Sequence, residues 1–170
     1  NCDRISIGLE SGNEYIRKKI LKRNYSNDYF LEKFKILSEH NISVSVNNII
    51  GFPDETREQI FDTIDMNRRI KAESFGAYMF QPYQGTSLRN YCVKKGYILE
   101  DHLTQDAHFG SGLTMPQITK EEINGLQRTF ALYTKLPKKY YDDIKVAEKF
   151  DKEGDEKYKE LSEIYYQYYA

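Results

Sequence analysis

Three strand-like segments, each followed by a helix-like segment, constrain the fold of this chain most. Residues 4–10 alternate between apolar residues and residues that are polar or glycine, and the next strand-like segment, residues 42–50, repeats that alternation from 42 to 47. Residues 75–80 form a third strand-like segment. The segments between and after them carry apolar residues at helical spacing and begin after loops rich in Gly, Asn, Pro or Ser. This order predicts an α/β fold with parallel strands and right-handed crossovers.

The rest of the chain is predicted to be helical after one irregular segment. Residues 1–99 hold the three strand–helix units, and residues 100–118 lack a regular pattern. Thr119, followed by Glu122 three residues later, has the pattern of a capping box that starts a helix. We therefore predict a βα part, an irregular connecting segment and a helical C-terminal extension over residues 119–170.

The charge, hydropathy and cysteine content of the chain argue against several classes of function. The formal net charge of −1 over 170 residues gives no overall field that would attract nucleic acid or an acidic membrane. No apolar run reaches the ~18 residues of a membrane-spanning helix, and the first residues do not have the pattern of a signal peptide. Cys2 and Cys92 lie too far apart for zinc-finger spacing. We expect a cytoplasmic location, no disulfide framework and no metal site within the chain. A chain that begins within a strand is also expected to be part of a larger protein.

The histidines give no further metal signal. None has ligand spacing with another histidine or with a cysteine, and all are predicted to be surface or loop residues: His40, His102 and His108.

One face of each of the first two strands is polar, which is unusual for a strand buried on both sides of a parallel sheet. Ser6 and Glu10 lie on that face in the first strand, and Asn47 lies on it in the second. Each strand leads into a glycine-containing loop, at the end where parallel α/β folds form ligand sites. The pattern favours a polar ligand on this face, and a solvent-exposed edge strand is the alternative.

The chemistry of these residues gives each a candidate role. The Glu10 carboxylate can accept hydrogen bonds from a ribose diol or pair with an ammonium, or it can cap a helix. Asn47 offers a donor and an acceptor to a ligand, or bonds to local backbone. After the second strand, Gly51 allows close approach of a flat base, while Phe52 and Pro53 form an apolar wall or simply complete a turn.

Arg23 is a candidate for binding a carboxylate. It ends a basic run over residues 17–23, and its guanidinium can form a bidentate pair. Such runs are more often solvated surfaces, and this is the alternative interpretation. The sequence contains no phosphate-binding Gly–Lys–Ser/Thr loop and no GxGxxG motif.

Taken in order, these segments resemble the second half of the barrel of radical S-adenosylmethionine (SAM) enzymes. Residues 4–14 resemble the fourth barrel strand, and residues 47–56 resemble the fifth strand with its GxPxET loop. Residues 80–88 resemble the sixth strand and the PYPGT loop of the subgroup with an N-terminal cobalamin-binding domain. The resemblance covers residues 3–98. It implies a parallel half-barrel of three βα units, part of a (β/α)6 partial barrel, followed by a helical tail.

The resemblance also implies cofactors and roles. Enzymes of this superfamily cleave SAM reductively with a [4Fe–4S] cluster, which gives a 5′-deoxyadenosyl radical that abstracts hydrogen. The cobalamin-binding subgroup implies cobalamin in the parent protein as well. Carried over by position, Glu10 and Asn47, with Ser6 beside them, contact the ribose or methionine part of SAM. Arg23 approaches the SAM carboxylate, although the spacing leaves Lys22 open, and residues 51–53 line the adenine.

One departure from the family limits what the chain is expected to do alone. The CxxxCxxC motif of the cluster is absent, and two distant cysteines cannot replace three closely spaced thiolates. We expect the cluster ligands in a missing N-terminal half of the same protein, an inactive isolated chain and an exposed strand edge at residues 4–10. The alternatives are a non-catalytic α/β module that binds a nucleotide or a partner, and an unrelated α/β domain. The sequence does not identify a small-molecule substrate.

Overall fold

A three-stranded parallel sheet forms the centre of the structure. The computed structural model describes residues 2–104, 106–107 and 110–169. The strands are β1 (Arg4–Glu10), β2 (Ser43–Ile50) and β3 (Ser74–Met79), in the order β1-β2-β3. Both neighbouring pairs are parallel, so the predicted α/β fold is confirmed. Each strand begins or ends within about one residue of its predicted bounds.

Helices follow each strand and make up the C-terminal part. The α-helices are α1 (Asn27–Glu39), α2 (Arg57–Arg68), α3 (Ser87–Lys94), α4 (Lys120–Lys135), α5 (Tyr141–Ala147) and α6 (Lys152–Tyr169). A short 3-10 helix, Lys138–Tyr140, precedes α5. Of the predicted irregular segment, Gln105, His108 and Phe109 lie outside the described residues. In the part of the chain that is described, no helix has the length and apolar character needed to cross a membrane.

The alternation of β2 sorts its side chains between two environments. Val44, Val46 and Ile50 are buried, whereas Ser45 and Asn47 on the other face are only partly buried. The apolar face packs against side chains of α1 and α2, including Phe34 and Met66. Full burial of one such aliphatic side chain is worth about 1.5–3 kcal/mol, which holds the strand in this register and leaves its polar face open.

Helix α4 joins the sheet to the C-terminal part, because α5 and α6 pack on α4. Helix α4 contacts β3 and α2, and its Leu126 and Phe130 belong to the main apolar core. The predicted capping box is present: Thr119 Oγ1 accepts from Glu122 N at 3.1 Å, and Glu122 Oε2 accepts from Thr119 N at 2.9 Å. At the other end of α4, the Arg68 guanidinium donates to the carbonyl of Leu136 at 2.7 Å. The division of the chain into three parts stays a prediction.

The sequence predicts a short basic helix from residue 14 to about residue 22. The chain instead forms a π-helix at Ile16–Ile20 within this segment. The expectation of a solvated basic surface is wrong for Arg17, whose side chain is fully buried. Its guanidinium donates to Ser11 O at 2.7 Å, to Asn27 Oδ1 at 2.7 Å and to Tyr25 O at 3.1 Å. Burial is possible because carbonyl and amide oxygens of the two flanking loops satisfy these donors.

Candidate functional site

A row of three serines crosses the open face of the sheet. Ser6, Ser45 and Ser74 are register partners on adjacent strands. Ser74 Oγ donates to Ser45 Oγ at 2.9 Å. The parity of the first two strands predicts this polar face, and the third strand extends it. A continuous row of hydroxyls supplies donors and acceptors without filling the space above the sheet.

The next row along the strands surrounds Asn47 with glycine. Gly8 of β1 and Gly76 of β3 are the register partners of Asn47. Asn47 Nδ2 donates to Ser6 Oγ at 3.0 Å, so the amide group is already oriented. A Cβ atom on Gly76 would lie 3.4 Å from Asn47 Oδ1, in contact with it. The ring of Tyr78 would lie 3.2 Å from the same Cβ atom, and the Glu10 carboxylate covers Gly8, so these two side chains flank the amide.

Glu10 lies at the C-terminal end of β1 in a strained backbone conformation. Its φ is 65°, in the left-handed region, and the β1–β2 register shifts between Gly8 and Glu10. Such a bulge re-aims a side chain, and here it brings the carboxylate over Gly8. A Cβ atom on Gly8 would collide with Glu10 Oε1. The absence of a side chain at Gly8 is therefore what allows the Glu10 carboxylate to approach the sheet.

Arg23 is the partner of Glu10. Its Nη2 lies 3.0 Å from Glu10 Oε1, with side chains that are 48% and 16% exposed, respectively. Two residues with separate predicted roles are thus joined in an ion pair. Lys22, the alternative to Arg23, has a positive φ of 58° and belongs to none of the ion pairs formed by the described residues. Glu10, Arg23, Asn47 and Ser6 come together on one face, and their roles toward a ligand stay predictions.

A buried carboxyl group holds the loop after β2. Gly51 N and Phe52 N donate to Glu55 Oε2 at 2.6 and 3.1 Å, and Gly51 takes a φ of 79° to make this turn. Burial raises the pKa of Glu55 to about 8, against the lowering effect of the two backbone hydrogen bonds. Glu55 Oε1 has no hydrogen-bond partner among the described residues. The sequence places Glu55 in the GxPxET loop but does not predict a structural or binding role for it.

An apolar pocket lies at the C-terminal ends of β2 and β3. Its volume is about 230 Å³, and the residues that line it include Leu21, Ile49, Phe52, Tyr78, Phe80 and Gln81. The rings of Phe52 and Phe80 are 5.4 Å apart and tilted. Gly51 and Pro53, the other two candidates for the base site, are buried, but neither is among the described residues lining this pocket. Only Phe52 of the three contributes to it.

The cysteines do not fit an iron–sulfur cluster. Cys2 is exposed near the start of β1, while Cys92 is buried in α3. Burial raises the pKa of the Cys92 thiol to about 11, which disfavours the thiolate that ligates iron. Within the described ranges, no group of three or more His, Cys, Asp or Glu residues could hold a metal ion. These residues of the chain therefore do not form a cluster site.

Comparisons with known proteins agree with the geometry of the sheet. The sequence profile of the Radical SAM superfamily matches residues 1–66. A tRNA-2-methylthio-N(6)-dimethylallyladenosine synthase of Moorella thermoacetica is 29% identical over 87 residues, which are 50% of this chain and 19% of that protein. The protein of the same name from Aliarcobacter butzleri is 31% identical over 88 residues, 51% of this chain and 20% of its own length. That of Bacillus subtilis is 29% identical over 86 residues, 49% of this chain and 17% of its own length.

The matched region therefore spans about a fifth of the length of these curated relatives. The part of the chain that the superfamily profile matches includes β1, β2 and the loop between β2 and α2. Glu10, Arg23 and Asn47 all fall within the part that the superfamily profile matches. Over residues 1–66, this chain is similar to domains of the radical SAM superfamily.

Proposed function

We propose that this chain supplies part of the SAM-binding site of a radical SAM enzyme. The observation that carries the proposal is the Glu10–Arg23 ion pair beside Asn47, on an open face at the C-terminal ends of parallel strands. This is the position where parallel α/β folds bind their ligands. SAM offers a ribose diol, an ammonium and a carboxylate, and the three side chains are complementary to these groups.

The ion pair can exchange partners when such a ligand arrives. Arg23 is about half exposed, and exposed ion pairs are worth only about 0–1 kcal/mol. A ligand carboxylate that takes Arg23 therefore releases Glu10 at small cost. Glu10 then accepts hydrogen bonds from the ribose hydroxyls or the ammonium, while Asn47 Oδ1 accepts a further one. Bound SAM, reduced by a cluster, would supply a 5′-deoxyadenosyl radical to this site.

The cluster itself is proposed to come from elsewhere in the parent protein. The two cysteines of this chain do not fit it, so we propose that the N-terminal half of the same polypeptide carries the ligands. In that arrangement the free edge of β1 adjoins the other half, and the 170 residues alone are inactive. The alternative is a module that binds a nucleotide at the same site but catalyses no reaction. The two possibilities differ in one observable, which is whether the full-length protein cleaves SAM.

The substrate is proposed from the relatives. Their names specify a 2-methylthio-N(6)-dimethylallyladenosine in tRNA, so a tRNA adenosine is the candidate substrate. The same names do not mention cobalamin. Cobalamin dependence thus stays a prediction that rests on residues 80–88 alone.

Titration with S-adenosylhomocysteine, a stable SAM analogue, tests the proposal. We expect the chain to bind it, and expect Glu10→Gln and Asn47→Ala each to weaken binding by about tenfold, equivalent to about 1.4 kcal/mol. Glu73→Gln is the matched control, because Glu73 is also a paired carboxylate but contacts Arg4 at the opposite end of the sheet. Equal affinities of the wild type and of Glu10→Gln would contradict the proposal.

A further inference from the structure

Asp54, in the loop after β2, has a backbone conformation that favours glycine. Its φ is 63°, in the left-handed region. A residue other than glycine carries a conformational cost there and persists where the surrounding structure compensates for it. Glu55 already holds this turn from within, through the amides of Gly51 and Phe52. The side chain of Asp54 makes its contacts with a different part of the chain.

Two tyrosine hydroxyls bind the Asp54 carboxylate. The Tyr91 hydroxyl donates to Asp54 Oδ2, and the Tyr97 hydroxyl donates to Asp54 Oδ1. Tyr91 lies in α3, and Tyr97 follows the end of that helix. Lys95 Nζ lies 3.6 Å from Asp54 Oδ1, and 5.5 and 5.9 Å from the ring centroids of Tyr91 and Tyr97. These four residues, which we call the Asp54 clamp, hold the loop after β2 against the end of α3.

The charges within the Asp54 clamp support this geometry at neutral pH. Burial raises the pKa of Asp54, but the hydrogen bonds from Tyr91 and Tyr97 outweigh burial, so the pKa lies below its usual range. The hydrogen bonds to Asp54 in turn raise the pKa of both phenols. The carboxylate therefore stays charged while the two hydroxyls keep their protons, and the acceptor and its donors keep these roles.

An ordinary surface ion pair of the same length gives a comparison. Lys138 Nζ lies 3.6 Å from Asp65 Oδ1 on α2, with side chains that are 67% and 53% exposed. The Lys95–Asp54 contact alone would be a similar weak pair, since its side chains are 45% and 37% exposed. Asp54 differs because hydroxyl groups bind both of its carboxylate oxygens, and one of them belongs to the buried Tyr97.

The two segments that the Asp54 clamp joins both line the apolar pocket at the C-terminal ends of β2 and β3. Phe52, two residues before Asp54, lines the pocket from the loop after β2. Leu88, about one helical turn before Tyr91 in α3, lines it from the segment after β3. Because the clamp holds Asp54 to Tyr91, it also sets the separation of Phe52 and Leu88 across the pocket.

The same pocket continues the polar face of the sheet. Ile49 and Tyr78 are register partners, each two residues beyond Asn47 and Gly76 on the same strands, and both line the pocket. A ligand held at Asn47 therefore has this pocket next to it along the strands. A change in the width of the pocket changes how such a ligand fits.

We propose that Asp54 is a positioning residue for SAM binding, and that it acts through Tyr91 and Tyr97 to hold the loop after β2 against α3. Asp54 acts through the position of Phe52 and does not itself contact the ligand. Loss of the Asp54 clamp loosens the pocket and weakens binding while the fold stays intact. The inference rests on the proposed function, because its main readout is the binding of S-adenosylhomocysteine.

Titration of Asp54→Gly with S-adenosylhomocysteine tests the proposal. Glycine adopts a φ of 63° without strain, so the variant keeps the turn and loses only the clamp. We expect its affinity to fall about tenfold relative to the wild type. Asp65→Asn, which removes the carboxylate of the comparison pair, should leave the affinity unchanged. Urea denaturation of each variant checks that it is folded.

Two further variants separate positioning from a general loss of structure. Asp54→Asn keeps one acceptor oxygen and tolerates the left-handed backbone, so it should recover part of the affinity and bind only about threefold more weakly than the wild type. The double variant Tyr91→Phe/Tyr97→Phe keeps both rings and should weaken binding about as much as Asp54→Gly does. Adding Asp54→Gly to it should weaken binding no further, because the carboxylate acts through these two hydroxyls.

Amide hydrogen exchange measures the position of the loop without a ligand. The Phe52 amide donates to Glu55, and we expect it to exchange at least about tenfold faster in Asp54→Gly, because the loop opens more often. The amide of Leu126, buried in α4, should exchange as in the wild type. Equal exchange of Phe52 in the two proteins would overturn the inference.

The binding results separate this inference from the proposed function. S-adenosylhomocysteine binding that depends on Glu10 but not on Asp54 would refute the inference and leave the proposed function standing. Equal weakening by Asp65→Asn, or additive losses when Asp54→Gly is combined with the two phenylalanines, would also refute it. If the wild-type chain does not bind S-adenosylhomocysteine at all, the proposed function is wrong and this inference with it.

Discussion

Glu55→Gln should change how the stability of the protein depends on pH. Glu55 is completely buried, and burial raises its pKa from 4.5 to about 8. Between those values the folded state keeps a proton that the unfolded state has released. The free energy of unfolding must then fall as pH rises across this window. At 1.36 kcal/mol for each pH unit, the loss is up to about 5 kcal/mol between pH 4.5 and 8.

Glutamine removes this titration and keeps the loop contacts. Its amide oxygen can accept from Gly51 N and Phe52 N as Glu55 Oε2 does. The variant should therefore match the wild type near pH 4.5 and become more stable than it by a few kcal/mol near pH 8. Urea denaturation at a series of pH values measures both curves. Glu121→Gln is the control, because Glu121 is an exposed carboxylate in the first turn of another helix, α4. Parallel curves for the wild type and Glu55→Gln would refute this reasoning.

Three further substitutions follow from the geometry of the site and its supports. Gly8→Ala should displace the Glu10 carboxylate, because the new Cβ would collide with Glu10 Oε1, and should weaken S-adenosylhomocysteine binding about tenfold in a titration. Arg17→Met should lower the free energy of unfolding by about 3 kcal/mol in urea denaturation, since three loop oxygens lose charged donors; an unchanged value would contradict the assigned contacts. Tyr133→Phe should cost about 1–2 kcal/mol in the same assay, because the buried Tyr133 hydroxyl donates to Glu148 Oε1 at 2.6 Å.

The strand periodicity made the sheet and its polar face predictable. Alternation with a period of two assigns Ser6, Glu10 and Asn47 to one face regardless of neighbouring strands. The structure has this alternation in β2, whose buried and partly exposed residues alternate without a break from Ser43 to Ile50. The alternation does not predict the register between neighbouring strands. The flanking of Asn47 by two glycines could therefore be recognised only after the strands were aligned.

Buried charged residues were the least predictable part. Arg17 looks like one more member of a basic surface run, and only the loop oxygens that surround it in three dimensions explain its burial. Glu55 is similar, because its partners are backbone N–H groups that any sequence would provide. In each case the side chain is buried because of groups that only the tertiary structure brings next to it. Composition and residue spacing do not predict such contacts.

The central claim is that the polar face of the sheet binds SAM, and an NMR titration of the ¹⁵N-labelled chain with S-adenosylhomocysteine tests it most directly. We predict the largest amide shift changes at Gly8, Glu10, Asn47 and Gly76, which line that face. The groove of about 430 Å³ between α1 and the end of α2, which includes Phe34, serves as an internal control on the opposite side of the sheet. Shift changes confined to that groove, with the polar face unaffected, would contradict the account.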